Sequence, residues 1–185
     1  ARGLQIPARM VDSEHFYTTR GAAAGLFEGR RQWLMEHFYR TMRRRYGVLM
    51  DSDKPVGGQW NFDHDNRKPW PGTPAEPRDP RPSHDHSALW QSIVAAGVKS
   101  FGNPGAERLR WPLNCAEALA QLDAFVAEAL PNFGDFQDAM STRGWRLFHS
   151  LLSFALNTKM LHPREVVGRA EAAWRTEATW RSAMQ

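Results

Sequence analysis

Six prolines stand between residues 69 and 82, at Pro69, Pro71, Pro74, Pro77, Pro80 and Pro82. Each lacks a backbone N–H and fixes φ, so this stretch can be neither a helix nor an inner strand. It is expected to run as an extended, polyproline-like connector laid over a surface that other residues supply. The 185 residues suit one domain of ordinary size, or one domain plus trimmings.

Before the connector, Leu4-Gln5-Ile6 and Met10-Val11 read as a short strand and its exit, with Asp12 or Ser13 capping a turn. A helix is expected over roughly residues 22–46. Leu34, Phe38 and Met42 lie four apart, and Met35 and Tyr39 fill the next row, an apolar stripe of helical period. Arg30, Arg31, Arg40, Arg43, Arg44 and Arg45 fall outside it. Such arginines suit a phosphate backbone, a solvated face or ion pairs to a neighbouring domain. Gly47 and Asp51-Ser52-Asp53 end the helix. In Gly57-Gly58-Gln59-Trp60-Asn61-Phe62-Asp63 the two glycines permit a sharp turn, and Trp60 and Phe62 alternate with polar residues. Asn66 and Arg67 suit side-chain hydrogen bonding.

After the connector, His84-Asp85-His86 suggests a metal, but no further ligands stand at suitable spacing, so none is expected. A short helix over 87–98 should turn Leu89, Trp90, Ile93 and Val94 inward. Residues 101–113 read as a loop. Asn114 and Glu117 form a capping-box pair for a helix that buries Leu119, Leu122, Val126 and Leu130 and stops at Pro131. Phe133–Met140 reads as irregular. In Phe148–Val167 the pattern predicts helix, a turn at Asn157-Thr158-Lys159, and a second helix from Pro163, which suits a first helical position. That helix should bury Val166, Val167, Ala170, Ala173 and Trp174. Ser150 and Ser153 fall just inside the first helix. Their hydroxyls can serve an anion such as phosphate, or simply fill core and cap positions.

One cysteine, Cys115, excludes an internal disulfide framework and a cysteine-only metal cluster. A reducing, cytoplasmic setting is the expectation. No run of about twenty apolar residues spans a membrane. The net charge of +4 permits a nucleic-acid partner without requiring one. Eight tryptophans and ten phenylalanines imply a well-filled core, with stacking on flavins or bases as the other use.

Four segments in order, 31–50 (RQWLMEHFYRTMRRRYGVLM), 57–69 (GGQWNFDHDNRKP), 133–140 (FGDFQDAM) and 148–167 (FHSLLSFALNTKMLHPREVV), resemble the photolyase-related proteins of bacteria. These are the iron–sulfur branch of the photolyase/cryptochrome superfamily, which includes prokaryotic (6-4) photolyases. The likeness covers most of the chain apart from the connector. It implies a fragment with a mainly α fold. Residues 1–20 would be the tail of an α/β antenna domain, 21–110 a long helix and interdomain connector, and 111–185 the N-terminal part of an all-helical FAD-binding domain.

The resemblance also implies a site. The family's turn, serine-x-leucine-serine then leucine-serine-proline-arginine, falls on Ser150-Leu151-Leu152-Ser153 and Leu161-His162-Pro163-Arg164. Its first part contacts the FAD phosphates and ribityl chain, which carries over to Ser150, Leu151, Leu152 and Ser153, with His149 alongside. A family tyrosine near the flavin falls on Phe136. Phe154 replaces a proline, Lys159 a glycine and His162 a serine, the last with an expected capping loss of about 1 kcal/mol. The family's iron–sulfur cysteines, electron-transfer aromatics and lesion-facing histidines belong to later helices that this chain does not contain, its motifs ligate neither the cluster nor the antenna chromophore, and Cys115 is expected to pack as a small apolar residue. The implied activity is light-driven electron transfer from FAD to pyrimidine lesions in DNA, or blue-light signalling. The segment by itself would not catalyse repair. The alternative is a non-enzymatic helical module that binds nucleic acid or protein through its arginines.

Overall fold

The computed structural model describes residues 7–62, 66 and 68–176. The expectations for Leu4–Ile6, Asp63, Arg67 and the tail after Thr176 lie outside the described residues. The described chain is mainly helical with one two-stranded sheet. Two compact units divide it: one holds the residues up to Asn61 together with those from His162 onward, the other Phe62–Leu161.

In the first unit the helix expected over 22–46 is two helices, α1 (Ala22–Leu26) and α2 (Met35–Tyr46). Gly29 turns left-handed at φ 70°, and Arg30 N–H closes on the Phe27 carbonyl. The chain then doubles back, so that Trp33 stacks on Phe27 at 5.3 Å and His37 meets the same ring edge-on. Burying Phe27, 5% exposed, outweighs continuing the helix. Met10 and Val11 are exposed and form no strand. Asp12 does cap a turn, accepting from the Ser13 and Arg20 amides.

Gly47, left-handed at φ 66°, ends α2. A hairpin follows, β1 (Met50–Asp51) against β2 (Lys54–Pro55), with Met50 opposite Pro55. Helix α7 (Pro163–Thr176) completes the unit. Its Glu171 accepts the Leu49 amide at 3.1 Å, and Pro163 and Val167 line a groove with Phe38, Met42 and Tyr46 of α2. Val166, Val167, Ala170, Ala173 and Trp174 are half-buried, on the expected face.

The second unit begins with the connector, which carries no helix or strand from Pro69 to Pro82. Helix α3 (Ser87–Ala95) is shorter than expected, and Leu89 and Val94 are exposed rather than inward. A 3₁₀ turn (Ala106–Arg108) leads to Leu109, which pairs with His84. Helix α4 (Cys115–Ala124) starts as read: Asn114 accepts from the Glu117 amide at 2.9 Å.

Pro131 does not stop this helix. A π-helical turn (Phe125–Ala129) intervenes, with Leu130 N–H donating to the Phe125 carbonyl, and α5 (Leu130–Phe136) carries on through the proline. The wider turn makes room for a ring that would collide with the preceding turn of an α-helix. The buried face lies one residue earlier than expected, already from Ala118, before the π-helical turn. Ala118, Gln121, Leu122, Phe125 and Ala129 are buried, while Leu119, Val126 and Leu130 are only half-buried. Phe133 is therefore helical, not irregular. The core is completed by Phe136, Leu147, Phe148, Leu152, Ala155 and Leu161.

The tryptophans depart most from expectation, whereas Phe27, Phe125, Phe136 and Phe148 fill the core. No described tryptophan is buried. Several meet arginines instead: Arg81 lies over Trp111 at 5.3 Å and over Trp145 at 4.6 Å. A planar guanidinium can cover an indole face and keep its own hydration, so such rings need no apolar core.

Candidate functional site

The Ser150–Ser153 stretch lies at the end of a loop, not inside a helix. Helix α6 (Ser153–Asn157) begins at Ser153, and Phe148 to Leu152 are non-helical. The expected early start fails because Phe148, 1% exposed, stacks on Phe136 at 5.3 Å. Leu147 and Leu151 are also left-handed, at φ 49° and 58°. Leu152 returns to right-handed values, φ −84° and ψ −5°. A left-handed residue followed by a right-handed one gathers successive N–H groups into a concavity suited to an anion. His149 and Ser153 are exposed, Ser150 and Leu151 half-buried, Leu152 buried. Ser150 Oγ lies 3.4 Å from the Leu152 amide. Phe136 is 7% exposed and meets this loop through Phe148. His149 stands edge-on to Phe133.

Three residues that the sequence did not single out hold this loop. Glu76, in the connector, accepts the Arg146 and Leu147 amides at 2.6 and 2.7 Å. Arg146, 1% exposed, donates through Nε to the His149 carbonyl at 3.1 Å and through a terminal nitrogen to the Arg78 carbonyl. Burial lowers its pKa, against the raising influence of Asp79, Glu128 and Glu76. Gln121 of α4 donates to the Leu151 carbonyl at 2.7 Å. Gly144 leaves room for the connector, since a Cβ there would lie 2.7 Å from Glu76 Oε2. A polar residue inside an apolar stripe, as Gln121 is, was the signal available in the sequence.

Two of the motif segments meet. The Asp138 amide donates to the Asn66 carbonyl, Lys68 N–H to the Asp135 carbonyl, and Lys68 Nζ lies 2.8 Å from Asp135 Oδ1. The Gly57-Gly58-Gln59-Trp60 segment turns on two left-handed glycines. Its Trp60 is surrounded by Arg40, Arg43 and Arg44, 5.4, 5.6 and 4.5 Å from the ring. Arg43 also donates to the Tyr39 hydroxyl and to the Val48, Leu49 and Trp60 carbonyls. It is thus an internal clamp rather than an outer-face arginine.

Elsewhere, His162 corrects the expected capping loss. Its Nδ1 accepts the Arg164 amide at 3.0 Å, while Nε2 donates to the Glu14 carbonyl at 2.9 Å. The imidazole, with Nδ1 as the acceptor, thus performs the serine's capping role for α7. Lys159 occupies the left-handed position, φ 66°, of a turn in which Met160 N–H reaches the Ala155 carbonyl and Lys159 N–H that of Leu156. This is the Schellman geometry in which glycine is usual. Phe154 stacks on Trp111 at 5.2 Å. Cys115 is exposed rather than packed. His84 Nε2 is 3.1 Å from Glu117 Oε2, which also accepts the Leu113 amide. That backbone bond, then His84, draws the Glu117 pKa below its usual range despite some desolvation. Among the described residues no three His, Cys, Asp or Glu side chains are placed to hold a metal ion. None of the described helices is long and apolar enough to cross a membrane.

Comparison with known proteins places these features in context. The model of a family described as deoxyribodipyrimidine photo-lyase-related protein matches residues 1–109. A (6-4) photolyase of Agrobacterium fabrum is 36% identical over 179 residues, covering 94% of this chain and 34% of that protein. The chain thus spans about a third of the length of that relative.

Proposed function

The chain belongs to the deoxyribodipyrimidine photo-lyase-related protein family, and on that premise we propose that it is a segment of a flavin-dependent photolyase that acts on pyrimidine lesions in DNA. The observation that carries the reading is the 36% identity to a (6-4) photolyase, which spans the candidate loop as well as the region before it. In this reading residues 1–20 close an antenna domain, 21–110 are helix and connector, and 111–185 open the FAD-binding domain. Damaged DNA and the remainder of the photolyase chain are its partners.

FAD, when bound, supplies the light-driven electron. The chain's own residues would bind and orient it. The Ser150 and Ser153 hydroxyls and the amides of Leu151, Leu152 and Ser153 form the phosphate edge, with exposed His149 beside them. The left-handed Leu151 followed by right-handed Leu152 suits that role. Phe136, buried against Phe148, would support the loop from beneath. The arginine face is the weaker candidate for a ligand, because Arg40, Arg43 and Arg44 are engaged with Trp60.

The test is flavin content. In the full-length photolyase, Ser150→Ala with Ser153→Ala should lower the FAD retained on purification and raise its dissociation constant. Unchanged flavin content would sink the assignment.

A further inference from the structure

The loop from Arg146 to Ser153 does not hold its shape unaided. Leu147 and Leu151 are left-handed, a conformation that L-residues adopt only when their surroundings impose it. At Leu147 the imposing group is Glu76, which accepts its amide at 2.7 Å. At Leu151 it is Gln121, whose Nε2 donates to the Leu151 carbonyl at 2.7 Å. Gln121 is 1% exposed and sits on the buried face of α4 beside Ala118 and Leu122. Packing alone would favour a leucine there, because a buried amide is costly unless its bonds are needed. Among the described residues its Oε1 has no partner, and its Nε2 bonds the loop.

We propose that Gln121 is the positioning residue of the cofactor loop: it holds Leu151 left-handed, so that the amides from Leu151 to Ser153 stay gathered for the anionic end of the ligand. The inference rests on the reading of this loop as the phosphate edge of a flavin site. Gln121 acts through Leu151 and touches no reacting atom.

The experiment uses full-length apoprotein titrated with FAD, with affinity read by flavin fluorescence and loop geometry by the visible circular dichroism of the bound flavin. Gln121→Leu fills the same space without the donor. It should weaken FAD about tenfold, the scale of one buried hydrogen bond together with the conformation it maintains, and alter the visible dichroism. Leu122→Ala, one residue along in the same core, controls for general destabilisation. It should lower the unfolding temperature by at least as much and leave FAD affinity within about twofold. Where Gln121→Leu does not fold, Gln121→Met, of similar length and volume but without a donor, carries the test. Wild-type affinity in the Gln121 variant, or an equal loss in Leu122→Ala, overturns the proposal. The Ser150→Ala, Ser153→Ala protein separates the two readings. If it loses flavin while Gln121→Leu does not, the site stands and the positioning role falls. If it keeps flavin, the site itself falls.

Discussion

Replacing Arg146 with methionine tests whether the connector and the candidate loop are fastened by one buried guanidinium. The change keeps much of the side-chain volume and removes the donors. The carbonyls of His149 and Arg78 then lose their partner. Hydrogen bonds from a charged donor contribute about 1.5–3 kcal/mol each, so the gross loss is about 3–6 kcal/mol. An offset comes from the cation's own burial. The residue is 1% exposed, one terminal nitrogen has no partner among the described residues, and desolvation lowers its pKa. Removing that unsatisfied group returns about 1–3 kcal/mol. The net expectation is a loss of about 2–3 kcal/mol, and a fall in Tm of about 4–12 °C for a chain of this size. Urea unfolding gives the free energy and a thermal scan the temperature. Arg146→Lys separates charge from geometry. A lysine keeps the charge but cannot present a planar fork to two carbonyls, so it should recover less than half of the loss. An Arg146→Met protein within about 0.5 kcal/mol of wild type, or a lysine variant fully as stable as wild type, would refute the reasoning.

Three further outcomes are expected. Lys159→Gly should stabilise the chain by about 0.5–1 kcal/mol, since glycine holds φ 66° without the cost that lysine meets there, less its greater freedom when unfolded; urea unfolding reads the gain. His162→Ser should match wild type within about 0.5 kcal/mol, whereas His162→Ala should lose about 1 kcal/mol, because only the alanine lacks an acceptor for the Arg164 amide. Asp79 is partly desolvated, which raises its pKa, but the bonds from Arg81 and the charges of Arg81 and Arg110 outweigh this and hold it below the ordinary 3.8. A depressed folded-state pKa means that its stabilisation is complete above about 3.8 and fades as pH falls through the lower folded value. Asp79→Asn should therefore remove part of the acid-side slope of stability against pH and leave its shape near neutrality unchanged.

Several features were legible in the sequence because their causes are local. The proline run forbids regular structure wherever it lies. Asn114 satisfies an amide three residues on, and Pro163 fits a first helical turn in any context. The order of the four motif segments carried the family and pointed to Ser150–Ser153. Other local signals were overruled. Residues 22–46 have a helical stripe, yet Phe27 is better buried under Trp33 than left on a continuous helix. Pro131 reads as a stop, yet a π-helical turn lets the chain pass it and keep Phe125 and Ala129 in the core.

What the sequence by itself determined is the coil of the connector, two helix starts and the residue types of the candidate loop. The tertiary structure alone decided that loop's shape. Gln121 and Glu76 come from 30 and 71 residues away to hold Leu151 and Leu147. A glutamine in a helical stripe and a glutamate among prolines have no fixed meaning until the chain closes on itself. Left-handed leucines are costly in isolation, so only long-range hydrogen bonds made in the folded state can select them.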